Sequence, residues 1–235
     1  MCCYLKRSCV FLFLLLFFCK AIAQEKPKKH AITIALVGMQ GWRGLTNINN
    51  LNTTFGDVGY PRLSSTMSLT EAGVGLWVNR FFALALNNTC RINKNSDMGF
   101  TTSLSGDGFD FLFGYNLLRS EKIKLYPYLG VGYQNLVIDI DPAFPATYAN
   151  VLLRPTQVSV RTSVSNQPTG SIGIGFDYTI ASLFDKRSKL ALSIMGGYIY
   201  GGSGSWRVND QLAISPNSSF SGLNARLGLQ LFFKL

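Results

Sequence analysis

The final stretch of the chain, residues 221–235, is a long run in which apolar and polar side chains alternate. One face of this run is apolar throughout and carries Leu223, Ala225, Leu227, Leu229, Leu231, Phe233 and Leu235. The opposite face carries Asn224, Arg226, Gly228, Gln230 and Lys234. A repeat of two residues predicts a β-strand, and an apolar face of this length needs a large apolar partner. We therefore expect this strand to face lipid.

The beginning of the chain is typical of a secretory signal peptide. Basic residues precede a short apolar run, and small residues then precede Gln24. The run is too short to span a bilayer as a helix, which takes about 20 residues. We predict a signal peptide at residues 1–23 and a β-barrel domain at residues 24–235. Lipidation at Cys19 is an alternative, although bulky residues precede it where a lipobox has small ones.

Removal of the predicted signal peptide changes the cysteine content and the charge. Cys90 is then the only cysteine, which excludes an intramolecular disulfide and a cysteine-based metal site, and we expect no cofactor. We interpret Cys90 as an inert small residue, with a cross-linked dimer as the alternative. Lys and Arg fall from 22 to 19 against 12 acidic residues, so the net charge falls from +10 to +7. Such a chain could favour anionic lipid or polysaccharide, but it lacks the clustered basic face of a nucleic-acid-binding protein.

Beyond the predicted signal peptide the sequence contains further runs with a period of two, and none is long enough for a membrane helix. These runs occupy residues 32–42, 67–78, 81–90, 109–117, 123–138, 169–180 and 190–200. Together with the final run they predict an all-β fold, an eight-stranded antiparallel up-and-down transmembrane β-barrel. Both termini are expected at the end that carries the short turns, which we assign to the periplasm.

Long polar segments connect alternate pairs of predicted strands. We interpret them as loops, at residues 43–66, 91–108, 139–168 and 201–219. Within the third, the alternation of Val158, Val160 and Val164 could extend the next strand beyond the membrane. Residues 145–153 of the same segment could form one or two helical turns before Pro155.

Aromatic residues near the strand ends favour a membrane barrel. One predicted girdle contains Phe81, Tyr115, Tyr126, Tyr178 and Phe233, and the other contains Trp42, Phe109, Tyr133, Tyr198 and Phe220. A water-soluble lipocalin-like barrel is the structural alternative. It would bury the apolar faces and would turn outward the charged residues Glu71, Asp110, Asp177 and Arg226.

Two segments resemble bacterial outer-membrane proteins. The pattern Arg226-x-Gly228-x-x-Leu231-x-Phe233 resembles the C-terminal signal that the barrel-assembly machinery reads, although the last residue here is Leu235 instead of an aromatic residue. The run Lys-Leu-Tyr-Pro-Tyr-Leu-Gly-Val-Gly-Tyr at residues 124–133 resembles small outer-membrane β-barrel domain proteins of Bacteroidetes-type bacteria, the porin-family or PorT-like proteins. The resemblance implies localisation in the bacterial outer membrane, among its lipid and lipopolysaccharide. It implies little about activity, because that family holds members of mostly unassigned function.

Charged residues on the predicted inward faces form the first candidate site. They are Glu71, Asp110, Asp177 and Arg226, accompanied by Gln230 and Lys234. An eight-stranded barrel is just wide enough to be filled by its own side chains, so buried charges must pair. We predict an ion pair of Arg226 with Glu71 or Asp110. The cluster either plugs the lumen or gates a narrow pore, and inward glycines favour the pore slightly.

Residues of the predicted outer loops form the second candidate site. Phe144, Tyr148, Leu152 and Trp206 either pack over the rim or contact a protein or a glycan. We do not expect an enzyme, because the only histidine, His30, precedes the first strand on the periplasmic side. The expected function is a structural or small-pore role in the cell envelope. A surface-binding barrel and an accessory component of a secretion or assembly apparatus are the alternatives.

Overall fold

The computed structural model describes residues 32–46, 48–57, 60–97, 100–142, 159–183, 188–202, 207–208, 211–212 and 220–235. The predicted signal peptide, and residues 145–153 with their predicted helical turns, lie outside these ranges. Within the described ranges the structure contains no helix that is long and apolar enough to cross a membrane.

The described residues form strands and one short helix. In chain order these are β1 (Ile32–Gly44), α1 (Ile48–Asp57), β2 (Thr66–Val78), β3 (Phe81–Asp97), β4 (Phe100–Tyr115), β5 (Ile123–Pro142), β6 (Val160–Leu183), β7 (Ser188–Gly201), β8 (Arg207–Val208), β9 (Gln211–Leu212) and β10 (Gly222–Lys234). The strands β8 and β9 contain two residues each, β8 pairing with β6 and β9 with β8, whereas the other eight strands are long.

The eight long strands form a closed antiparallel barrel. Each strand from β1 to β6 pairs with the next, and β10 pairs with both β7 and β1. At the closing seam, Leu36 of β1 lies opposite Leu231 of β10, and on its other side it lies opposite Val74 of β2. The predicted eight-stranded antiparallel barrel is therefore confirmed. We call the end with Ile32 and Lys234 the terminal end and the opposite end the loop end.

The outer surface of the barrel carries an apolar belt. On β10, Leu223, Leu227 and Leu229 are 70%, 48% and 50% exposed, so the apolar face of the final strand points away from the interior. Exposed members of the belt on other strands include Ile34, Leu36, Val74, Leu76, Phe113, Leu129, Val131, Ile172, Ile174 and Ile194. A water-soluble barrel would have the opposite arrangement, because water favours polar outer faces.

The connection between β3 and β4 corrects one prediction. Residues 91–108 were expected to form a loop, but β3 continues to Asp97 and β4 begins at Phe100. Inside the barrel Ile92 and Leu104 are fully buried, whereas outside it the exposed positions of β4 are polar up to Asp107. The prediction was wrong because strands beyond an apolar belt need no apolar outer face.

The segment between β1 and β2 corrects a second prediction. It was expected to be a loop, but it contains the helix α1. Ile48 and Leu51 of α1 are buried, and the side chain of Asn52 accepts a hydrogen bond from Leu63 N (2.7 Å) and donates one to Leu63 O (2.9 Å). The helix is therefore anchored by its apolar side and by one amide. In contrast, the predicted extension of the sixth strand is confirmed from Val160 onward.

The predicted aromatic girdles are only partly correct. Trp42, Tyr133 and Tyr178 are exposed on the outer surface. Tyr126 and Phe220, however, are 1% and 3% exposed, and they face the interior. Both residues lie near a strand end, but the alternation of the strand and the closure of the barrel turn them inward.

Candidate functional site: the barrel interior

Buried charged side chains form a layer across the middle of the interior. Glu71 of β2, Asp110 of β4 and Arg226 of β10 are each 3% exposed or less. Arg43 of β1, 1% exposed, joins them, although the sequence placed it at the start of a loop. The alternation of β1 turns Met39 and Gly41 inward. If it is continued by two residues, it predicts that Arg43 also points inward. The layer contains two basic and two acidic residues, so its charges balance.

The predicted ion pair of Arg226 is formed with Glu71. Arg226 Nη1 lies 3.4 Å from Glu71 Oε2, and both side chains are almost fully buried. This distance is within the range of an ion pair, but the geometry makes no hydrogen bond between the two atoms. We therefore regard the contact as mainly Coulombic, in a surrounding where charges attract strongly because little water screens them.

Asp110 and Arg43 are held by neighbouring polar side chains. Asp110 accepts hydrogen bonds from Asn88 Nδ2 (3.0 Å) and from Thr169 Oγ1 (3.4 Å). Arg43 Nη1 donates to Gln134 Oε1 at 2.7 Å, and the amide of Gln134 contacts Cys90 Sγ at 3.0 Å. These amide and hydroxyl partners were not recognised in the sequence, although they occupy inward positions of predicted strands. Cys90 is buried, so its thiol is not accessible for the cross-link of the alternative dimer.

Asp177 belongs to a separate polar network. Its Oδ1 atom accepts hydrogen bonds from Tyr126 OH (2.8 Å), Ser193 Oγ (2.7 Å) and Gln230 Nε2 (3.2 Å). None of these residues hydrogen-bonds to the charges of the middle layer. The structure therefore does not place the four predicted lumen charges in one cluster: Glu71, Asp110 and Arg226 come together, whereas Asp177 lies apart.

Aromatic rings close the interior at the terminal end. We call Trp77, Phe82, Tyr126 and Phe232 the terminal aromatic cluster. Trp77 stacks on Phe82 with a centroid distance of 4.7 Å and meets Tyr126 edge to face at 5.4 Å. Lys124 Nζ lies 3.9 Å from the ring centroid of Trp77 and 3.4 Å from that of Phe232, distances suited to cation–π attraction. Lys234, predicted to face the interior, is exposed at this end.

The inward glycines do not leave open space. A Cβ atom at Gly175 would overlap the ring of Tyr126, and one at Gly114 would overlap Phe82. A Cβ atom at Gly173 or Gly197 would collide with the hydroxyl end of Tyr128. The inference that these glycines favour a pore was therefore wrong, because aromatic side chains of the neighbouring strand occupy the room that the glycines provide, with Tyr126 opposite Gly175 and Phe82 opposite Gly114.

Apolar side chains fill the interior toward the loop end. We call this group the loop-end apolar cluster; its fully buried members include Met67, Leu69, Ile92, Leu104, Leu136 and Ile138. Ile48 and Leu51 of α1 pack in the same cluster. The charged layer thus lies between two mainly apolar regions of the interior. Phe144, Tyr148, Leu152 and Trp206, the predicted loop-binding residues, lie outside the described residues.

The described residues contain no group of three or more His, Cys, Asp or Glu side chains that could hold a metal ion. A closed barrel with an apolar outer belt and buried charges inside defines a transmembrane β-barrel of the outer-membrane type. This is the class of protein to which the fold and the interior assign the chain.

Among known proteins, only solved structures are similar to this chain, and the similarity is one of fold. The sequence matches no protein-family model and no curated protein. Among solved structures, the attachment invasion locus protein Ail of Yersinia pestis is similar, with 12% identity, a TM-score of 0.45, and coverage of 88% of this chain and 100% of that one. Neisserial surface protein A is 11% identical, with a TM-score of 0.42 and coverage of 87% and 97%. A major outer membrane protein of Thermus thermophilus is 11% identical, with a TM-score of 0.49 and coverage of 88% and 100%.

Proposed function

We propose that the protein is a structural barrel of the bacterial outer membrane whose lumen does not conduct ions. The observation that carries this proposal is the filling of the interior from both ends. The terminal aromatic cluster packs ring against ring, and the loop-end apolar cluster packs against α1. Water and ions avoid apolar constrictions of this kind, and this supports a lumen that does not conduct.

Single-channel recording tests this proposal. Residues 24–235, refolded into planar bilayers of neutral lipid, should show no discrete conductance steps while circular dichroism and gel mobility report a folded barrel. As a control, Trp77→Ala combined with Phe82→Ala should loosen only the terminal end and should remain silent, because the loop-end apolar cluster is intact. Discrete steps from the wild-type barrel would overturn the proposal.

A gated small pore is the second candidate, and one observation favours it. The interior contains buried polar atoms that make no hydrogen bond to any described residue, among them Arg226 Nε in the charged layer, Tyr128 OH and Ser171 Oγ. Such atoms are stabilised by water, which a pore would supply. If the wild-type barrel conducts and Glu71→Gln changes its open probability, the gated pore replaces the structural role as the proposed function.

A role in recognition at the loop end is the third candidate. Strands β3 to β6 continue past the apolar belt, and their outer faces there carry polar side chains such as Ser105, Asp107 and Asn135. These polar outer faces lie beyond the apolar belt, and they support recognition of a protein or glycan at this end. Deletion of residues 143–158 leaves β5 and β6 intact and should abolish partner binding without unfolding the barrel, if this candidate is correct.

The resemblance of residues 124–133 to PorT-like proteins supports, as a further proposal, an accessory role in a secretion or assembly apparatus.

We also propose that the protein is not an enzyme. The support for this is the nature of the middle layer, where carboxylates pair with arginines and amides instead of with a histidine base. Recognition of the final strand by the barrel-assembly machinery is likewise proposed from the pattern that ends in Phe233.

A further inference from the structure

The two ends of the barrel differ in charge. Among the described side chains of the terminal end outside the interior, the charged residues are Arg80, Arg119, Lys122, Lys189 and Lys234, with Glu121 as the single acid. Among those of the loop end outside the interior, they are Arg62, Arg91 and Arg161, with the acids Asp57, Asp107, Asp139 and Asp141. Among the described side chains outside the interior, the excess of positive charge is therefore concentrated at the terminal end.

The exposed basic residues of the terminal end lie at the edge of the apolar belt. Arg119 follows Leu117 and Leu118, which are 54% and 37% exposed. Lys122 directly precedes the first residue of β5, and Lys234 lies between Phe233 and Leu235 at the end of β10. Long basic side chains in such positions keep their stems on apolar surface and place the charge at the level of lipid headgroups.

The acid of this region, Glu121, pairs most closely with Lys189 and also attracts Lys234. Glu121 Oε2 lies 2.8 Å from Lys189 Nζ, so its charge is compensated by a lysine of another strand. Arg119, Lys122 and Lys234 remain exposed around the rim. We call them the basic rim.

We propose that the basic rim binds the anionic headgroups of phospholipids in the leaflet at the terminal end. Short turns and chain termini mark the periplasmic end of this class of barrel, and that end meets phospholipid instead of lipopolysaccharide. Basic residues near a membrane surface attract anionic lipids over a distance of about one Debye length. At the loop end the described side chains outside the interior include three basic and four acidic residues, so they exert no comparable attraction on anions.

Lipid selectivity at the protein surface tests the proposal. Residues 24–235 are reconstituted in phosphatidylcholine vesicles, and the association of spin-labelled phosphatidylglycerol is compared with that of spin-labelled phosphatidylcholine by electron paramagnetic resonance. We expect the anionic probe to associate roughly two- to fivefold more strongly, and the preference to shrink in about 1 M salt, where the Debye length is about 3 Å.

Two matched triple variants locate the effect. The first variant should lose most of the preference for the anionic probe; it combines Arg119→Gln, Lys122→Gln and Lys234→Gln. The second variant should keep this preference unchanged; it combines Arg62→Gln, Arg91→Gln and Arg161→Gln. If the first variant does not fold, the charge reversal Lys122→Glu in the exposed turn replaces it and should lower the preference measurably. Equal association of both probes with the wild type, or an equal loss in the loop-end variant, would overturn the proposal.

Discussion

The guanidinium group of Arg226 lies 3.4 Å from the carboxylate of Glu71, although β1 separates their strands in the barrel wall. The contact therefore crosses the interior and joins β10 to β2 without a shared backbone ladder. It is buried on both sides, so neither charge can be solvated by bulk water if its partner is removed.

The first prediction concerns this ion pair. Arg226→Leu or Glu71→Leu alone should lower the free energy of unfolding by about 3–5 kcal/mol, because each leaves one buried charge without its partner. The double variant should be much less destabilised than the two single variants together. Urea unfolding in lipid vesicles, followed by tryptophan fluorescence, gives the three values. Additive losses would show that the two side chains act independently.

The second prediction concerns two tyrosine hydroxyl groups. Tyr126→Phe removes a donor to the buried carboxylate of Asp177 and should cost about 1.5–3 kcal/mol. Tyr128→Phe is the matched control, because the hydroxyl group of Tyr128 makes no hydrogen bond to a described residue. The control should change the free energy of unfolding by less than about 1 kcal/mol. Equal losses in the two variants would contradict the role of the Asp177 network.

The third prediction concerns the inward glycines. Gly175→Ala and Gly114→Ala should each destabilise the barrel by about 1–3 kcal/mol, because the new methyl group overlaps Tyr126 or Phe82. Gly38→Ala and Gly170→Ala are the controls, since a Cβ at either position has no atom within 4 Å. The controls should be neutral or slightly stabilising. Comparable losses at all four positions would indicate that backbone conformation, and not ring packing, requires glycine.

The fourth prediction concerns the docking of α1. Leu51→Ala should remove apolar contacts worth about 2–5 kcal/mol and free the helix from the loop-end apolar cluster. Asn49→Ala, at an exposed position of the same helix, should have little effect. Limited proteolysis of the folded protein should then cut residues 48–65 faster in the first variant only, with the barrel intact. Equal cleavage rates would show that the helix does not depend on Leu51.

The failures of the sequence prediction share a physical origin. Residues 91–108 and the helix α1 lie beyond the apolar belt, where lipid no longer requires an apolar outer face. There, only the inward face of each element is apolar, and the polar residues of the outer face resemble those of a loop. Phe232 was missed for another reason: it continues the inward series of Gly228 and Gln230, but it is aromatic on a face that otherwise carries polar residues and glycine.

The sequence by itself determined the strands of the barrel, their outward faces and the inward direction of Glu71, Asp110, Asp177 and Arg226. It could do so because alternate side chains of a strand point to opposite faces, and because lipid tolerates only apolar side chains on one of them. The tertiary structure decided which charges meet: Arg226 faces Glu71, Asp177 lies apart, and Arg43 joins the middle layer. It also decided that aromatic rings fill the space above the glycines. The contacts of Arg226 with Glu71 and of Arg43 with Gln134 join strands that are not neighbours, so they depend on the stagger and closure of the whole barrel, which no local pattern contains. The ring–glycine contacts join neighbouring strands, and they depend on the register that places Tyr126 opposite Gly175 and Phe82 opposite Gly114.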